Sequence, residues 1–111
     1  MLKQYILIKN NIPLGLAVNA AAHAGLIGYL EFQELPETKE WLEKSFKKVT
    51  CSVTPTEFET LKTHFVHSKI VTESALGGEE VAIVLAPMDK VPKVLKALPL
   101  YGSEHATPVA V

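Results

Sequence analysis

At 111 residues the chain has the length of one domain built on one core. Hydrophobic residues make up 48% and charged residues 21%, the ordinary balance of a globular protein. The formal net charge of −1 supplies no domain-wide field for polyanions, which disfavours a protein built mainly to grip nucleic acid.

One cysteine, Cys51, excludes an internal disulfide framework and fits a reducing cytoplasm. The opening "MLKQYILIKNN" has too short an apolar run for a signal peptide, and no stretch has the length of a bilayer span. A cytoplasmic location with no membrane partner is the expectation. Residues 1–102 read as a single domain and 103–111 as a tail.

"YILI", residues 5 to 8, is a continuous apolar run that suits a strand buried on both faces. "IPLGLAVNAAAHAGLIG" then predicts a helix from about residue 15 to 32, whose many alanines and glycines allow close packing. Gly25 and Gly28 each cost roughly 1 kcal/mol of helix propensity relative to alanine, and close approach is the compensation. Residues 34 to 48 are charged and contain Pro36, predicting a connection with a short helix presenting Trp41, Leu42 and Phe46. "VTCSV", residues 49 to 53, is β-branched and strand-like. "TPTE" has the pattern of a capping box: Thr54 as the cap, Pro55 at the first helical position and Glu57 reaching back. The helix it opens is expected to run to about Val66, with Phe58, Leu61 and Phe65 on one face.

"SKIVTESALGGEEVAIVLAP" reads as two antiparallel strands joined at Gly77-Gly78, with Pro87 ending the second. "MDKVPKVLKAL" predicts a last helix capped by Asp89, with Val91, Val94, Leu95 and Leu98 turned inward. The order predicts a three-layer α/β sandwich: a four-stranded mixed sheet, the hairpin strand running against the rest, with helices on both faces.

Asn19 and His23 are nearly the only polar side chains in the alanine-rich helix, and a spacing of four puts them on one face. Both follow the loop at the carboxyl end of the first strand, the edge where open α/β sheets bind ligands. A functional reading makes His23 a general base, since histidine titrates near neutral pH, and Asn19 a hydrogen-bond donor. Lys9, Asn10, Asn11 and Gly15, around the same loop, then line the ligand site. The alternative has Asn19 tying down the "NNIP" loop and His23 bonding a backbone carbonyl. His64 and His67 lack a third ligand at metal spacing, so no metal is expected. Cys51 reads as a small core residue, and Lys90, Lys93 and Lys96 as a solvated face. No motif for a cofactor is found.

From about Lys3 to Leu100 the element order, together with "HA" at His23–Ala24, resembles peptidyl-tRNA hydrolase type II. More specifically it resembles that superfamily's bacterial branch of unknown function, which carries a Leu-Pro-x-Gly-Leu-Ala-x-Asn pattern matched here by "IPLGLAVN". The branch also ends in a strand, a helix and Leu-Pro-Leu, matched by "AIVLAPMDKVPKVLKALPL". The resemblance implies the same α/β fold and a hydrolase of an ester or amide bond, with tRNA as a partner. True members carry Gly-Lys-x-Ala-Ala-Gln-Cys-x-His-Ala along this helix. Here Leu16 stands at their lysine and Ala20 at their glutamine, and "TESALGGEE" lacks their hairpin motif. Only His23 carries over, so peptidyl-tRNA cleavage itself is not expected. The competing expectation is a non-catalytic module that binds a small molecule or a partner protein in the same cleft. Apolar surface around Trp41 and Phe46, or the tail, is expected to support a homodimer.

Overall fold

The computed structural model describes residues 1–103. Its sheet has the order β2-β1-β4-β3, with β1 at Lys3–Lys9, β2 at Lys47–Val53, β3 at Ser68–Glu73 and β4 at Glu79–Leu85. β1 and β2 are parallel, while β4 runs antiparallel to both β1 and β3. Three strands therefore point one way and β4 the other, as the sequence implies. β4 enters between β1 and β3, so only one neighbouring pair is parallel.

Alternation along β1 divides the core into two. Ile6 and Ile8 pack with Ala17, Ala20 and Ala24 of α1, the helix Leu14–Phe32. Tyr5 and Leu7 face the other way, onto Phe58 and Leu61 of α3 (Pro55–Leu61) and Leu95 of α4 (Lys93–Lys96). Helices thus cover both faces of a three-layer sandwich.

The small residues of α1 let it lie close to the sheet, and Gly28 is where contact is tightest. A Cβ there would stand 2.6 Å from Val84 Cγ2 and 2.8 Å from Gln4 Nε2. Across the sheet, α3 starts on the expected capping box: the Thr54 hydroxyl accepts from the Glu57 amide at 3.1 Å, and the Glu57 carboxylate accepts from the Thr54 amide at 2.8 Å. Gly77 and Gly78 hold φ of +66° and +85°, the left-handed conformations expected of them. They follow a single 3₁₀ turn, Ser74–Leu76, which lengthens the hairpin beyond a two-residue turn.

Two helices are shorter than the sequence suggests. α3 stops at Leu61, not near Val66, and the amide of His64 bonds back only three residues, to the Leu61 carbonyl. The run "THFV" after it has poor helix propensity, and β3 must begin at Ser68. α4 is one turn long because Pro92 sits at its cap and no amide can precede it in the ladder. Asp89 therefore caps nothing; its carboxylate pairs with the amino group of Met1. Val94 is partly exposed instead of facing inward.

The free edge of β2 is covered. The Ser52 amide donates to the Pro99 carbonyl at 2.9 Å, and the Tyr101 amide donates to the Thr50 carbonyl at 2.9 Å, so the segment after α4 straps that edge. The expected tail lies outside the described residues except for Ser103. Among the described residues no helix is long and apolar enough to cross a membrane.

Candidate functional site

α1 lies over β1, β4 and β3 and leaves β2 largely uncovered on its side of the sheet. The parallel register sets Ile6 beside Thr50 and Gln4 beside Lys48, so Lys48 and Thr50 face the same side as α1. The space between helix and edge strand is a groove of about 510 Å³. Its helical wall is Ala21, Ala22, Gly25, Leu26 and Tyr29. Ile6, Lys48 and Thr50 line its floor, and Trp41, Leu42 and Phe46 line it from α2 (Pro36–Glu43) and the turn behind it.

That turn fixes two rings. Trp41 is fully buried, its indole N–H donating to the Lys47 carbonyl at 2.7 Å. Phe46 lies against it at 5.1 Å between centroids and remains 53% exposed. Phe46 has φ of +51°, the one residue other than glycine with positive φ among the described residues. A left-handed aromatic residue costs on the order of 1–2 kcal/mol and needs a reason. Here the amide of Phe46 closes the end of α2 on the Trp41 carbonyl at 2.7 Å, and the ring is left at the groove.

Two polar groups stand out in this apolar setting. The Lys48 ammonium lies 3.4 Å from the Phe46 ring centroid and 5.3 Å from that of Trp41, and makes no ion pair among the described residues. Partial burial pushes its pKa down, since a desolvated ammonium holds its proton less well. Beneath the helix, Gln4 is fully buried; its Nε2 donates to the Gly25 carbonyl at 3.3 Å, while its Oε1 has no partner among the described residues.

The residues singled out from sequence lie elsewhere. Asn19 and His23 are exposed, and neither lines the groove. At 3.6 residues per turn they are rotated by about 120° and 160° from Gly25. Neither side chain makes a hydrogen bond to a described residue, so neither ties down the loop or a carbonyl. Asn10, Asn11 and Gly15 are exposed at the carboxyl end of β1, and the amide of Asn10 extends the sheet by donating to Val53. Lys9 points to the opposite layer, its ammonium 4.5 Å from the Phe58 ring. Asn10, Asn11 and Gly15 therefore stay exposed near the start of α1, and the sheet separates Lys9 from His23.

His64 and His67 stand beyond the end of α3, each edge-on to a different ring, Phe65 and Phe32. Cys51 is buried in the α3 side of the core. Trp41 is buried beneath Phe46 instead of being presented at the surface, so Phe46 carries the exposed part of that aromatic pair. Sequence reasoning missed Gln4, Lys48 and Tyr29. A usable signal was present: Leu14, Val18, Ala22, Leu26 and Leu30 form a second apolar row at spacing four, more apolar surface than one sheet contact uses.

No protein-family model matches the chain, and no curated protein matches it in sequence.

Proposed function

We propose that this chain is a small-molecule binding domain whose ligand lies between α1 and β2. The observation that carries this reading is the groove itself: its volume is in the range of small-ligand sites, its walls are apolar, and Trp41, Phe46 and Tyr29 supply rings. Trp41 is the single tryptophan and reports occupancy by its own fluorescence. A screen of apolar metabolites, acids and nucleotides, read by thermal shift and Trp41 emission, tests the proposal. A ligand at a hundred times its Kd raises stability by about 2.7 kcal/mol. Ala22→Phe, which fills the groove from an exposed helical position, should abolish that response. A response that survives Ala22→Phe would place the ligand elsewhere and overturn the reading.

The catalytic alternative is a hydrolase of an ester or amide bond, and it rests on the resemblance to peptidyl-tRNA hydrolase type II. In it His23 activates water and Asn19 stabilises the oxyanion. With Leu16 and Ala20 in place of the family's lysine and glutamine, binding without catalysis is the better-supported reading. Hydrolysis of peptidyl-tRNA or of small esters that disappears in His23→Ala would reverse that order. Self-association is proposed on a separate observation: α1 exposes Leu14, Val18, Leu26 and Leu30. Light scattering over a range of concentrations checks it, and a constant mass of 12.1 kDa would remove it.

A further inference from the structure

The proposed binding reading leaves the ligand's chemistry open, and the polar groups around the groove narrow it. Among the described residues Lys48 is the one charged side chain lining the groove. Its ammonium rests on the Phe46 and Trp41 rings and has no carboxylate partner among the described residues. Cation–π contacts of this kind stabilise an ammonium less than a desolvated carboxylate does.

Gln4 supplies an independent observation. Its unpartnered, fully buried Oε1 stands 3.8 Å from the point where a Cβ on Gly25 would lie, and Lys48 Cε stands 3.6 Å from that same point. An ammonium has three donors. Drawn off the Phe46 ring and into the groove, it can give one to an anion and another to the orphaned Gln4 oxygen.

We propose that the groove takes an amphipathic monocarboxylate, a fatty or aryl acid, with its apolar body between α1 and β2 and its carboxylate on the Lys48 ammonium. The wall at Ala21, Ala22 and Gly25 is smooth enough for an unbranched or planar body. A single cation selects a single negative charge, and a polyphosphate would leave most of its charge uncompensated in apolar surroundings. This inference rests on the binding reading above but can fail without it.

The test compares three probes with the same ten-carbon chain, decanoate, decanol and decyltrimethylammonium, each titrated against Trp41 emission. Decanoate is expected to bind with a Kd of about 0.1–1 mM, well inside the efficiency ceiling for so small a ligand. Decanol should bind roughly tenfold more weakly, and the cation more weakly still. Lys48→Met, which keeps the aliphatic stem, should erase the preference for decanoate and leave decanol unchanged. Gly25→Leu should abolish both, with a thermal melt and circular dichroism confirming that it folds. Equal affinity for decanoate and decanol, or a preference for the cation, overturns the carboxylate proposal while the binding reading stands. Binding of none of the three probes overturns the proposal, and only a failure of the wider screen as well removes the binding reading.

Discussion

Gly25 and Gly28 sit three apart on one helix and answer to different constraints. At Gly28 an added methyl collides with Val84 and Gln4, and Val84 is β-branched and held in the central strand β4. Gly28→Ala is expected to lose about 1–2 kcal/mol by chemical denaturation despite the better helix former, because overpacking exceeds the propensity gain. At Gly25 the same methyl meets only ordinary contacts at 3.6 and 3.8 Å, so Gly25→Ala should gain about 0.5–1 kcal/mol. Asn19 is simpler: its side chain has no hydrogen bond to a described residue to lose, and Asn19→Ala should leave stability within about 0.5 kcal/mol. A larger loss would restore it as a structural tie. Phe46 holds a left-handed backbone without being glycine. Phe46→Gly relieves roughly 1–2 kcal/mol of strain, set against glycine's freedom in the unfolded chain and the lost contact with Trp41. The expected net change is under about 1 kcal/mol, with weaker ligand response at Trp41. A loss above about 2 kcal/mol would mean the ring holds the fold instead of serving the groove.

Elements were legible wherever a local rule and the tertiary fold agree. The capping box before α3 is a property of four adjacent residues, and the structure contains both of its hydrogen bonds. Thr54→Ala should cost about 1 kcal/mol, read by denaturation, and Thr54→Ser should restore most of it. The glycine pair likewise announces its own backbone. Helix ends were less legible, because each competes with the element that comes next in the chain. Phe65 continues the apolar spacing of α3, but the chain must already be turning to begin β3 at Ser68. Pro92 interrupts an otherwise periodic stretch and shortens α4 to one turn. The apolar period shows which side chains reach the core; it does not show whether the backbone between them is helical.

At the scale of the molecule, the groove exists because α1 covers three strands of four. No local pattern encodes that offset, which depends on the β2-β1-β4-β3 order and on Gly28 drawing α1 onto Val84. His23 and Asn19 were conspicuous in sequence as polar groups in an apolar run, yet that contrast marks the solvent face of α1 equally well. Lys48 looked like one lysine among many until the register placed it beside Gln4. The same long-range order protects the other side of β2, where Cys51 lies under α3 and α4 and Pro99 to Tyr101 strap the strand's edge. Burial pushes the Cys51 thiol up, so alkaline pH does little to activate it while the fold is intact. Labelling by an aromatic disulfide reagent must then wait for opening, and the route of opening is measurable. If the strap belongs to the cooperative unit, labelling is slower than that of a free thiol by at least ~10³, and it accelerates with urea at the slope of global unfolding. If the strap frays by itself, labelling is fast and nearly independent of urea, because little surface is exposed. The two backbone hydrogen bonds from Ser52 and Tyr101, and the packing of Leu95 and Leu98 onto the α3 side of the core, favour the first outcome. Tyr101→Pro deletes one of those bonds, together with the ring's packing on the α1 side of the core, while leaving Cys51 in place, and it should convert the first pattern into the second.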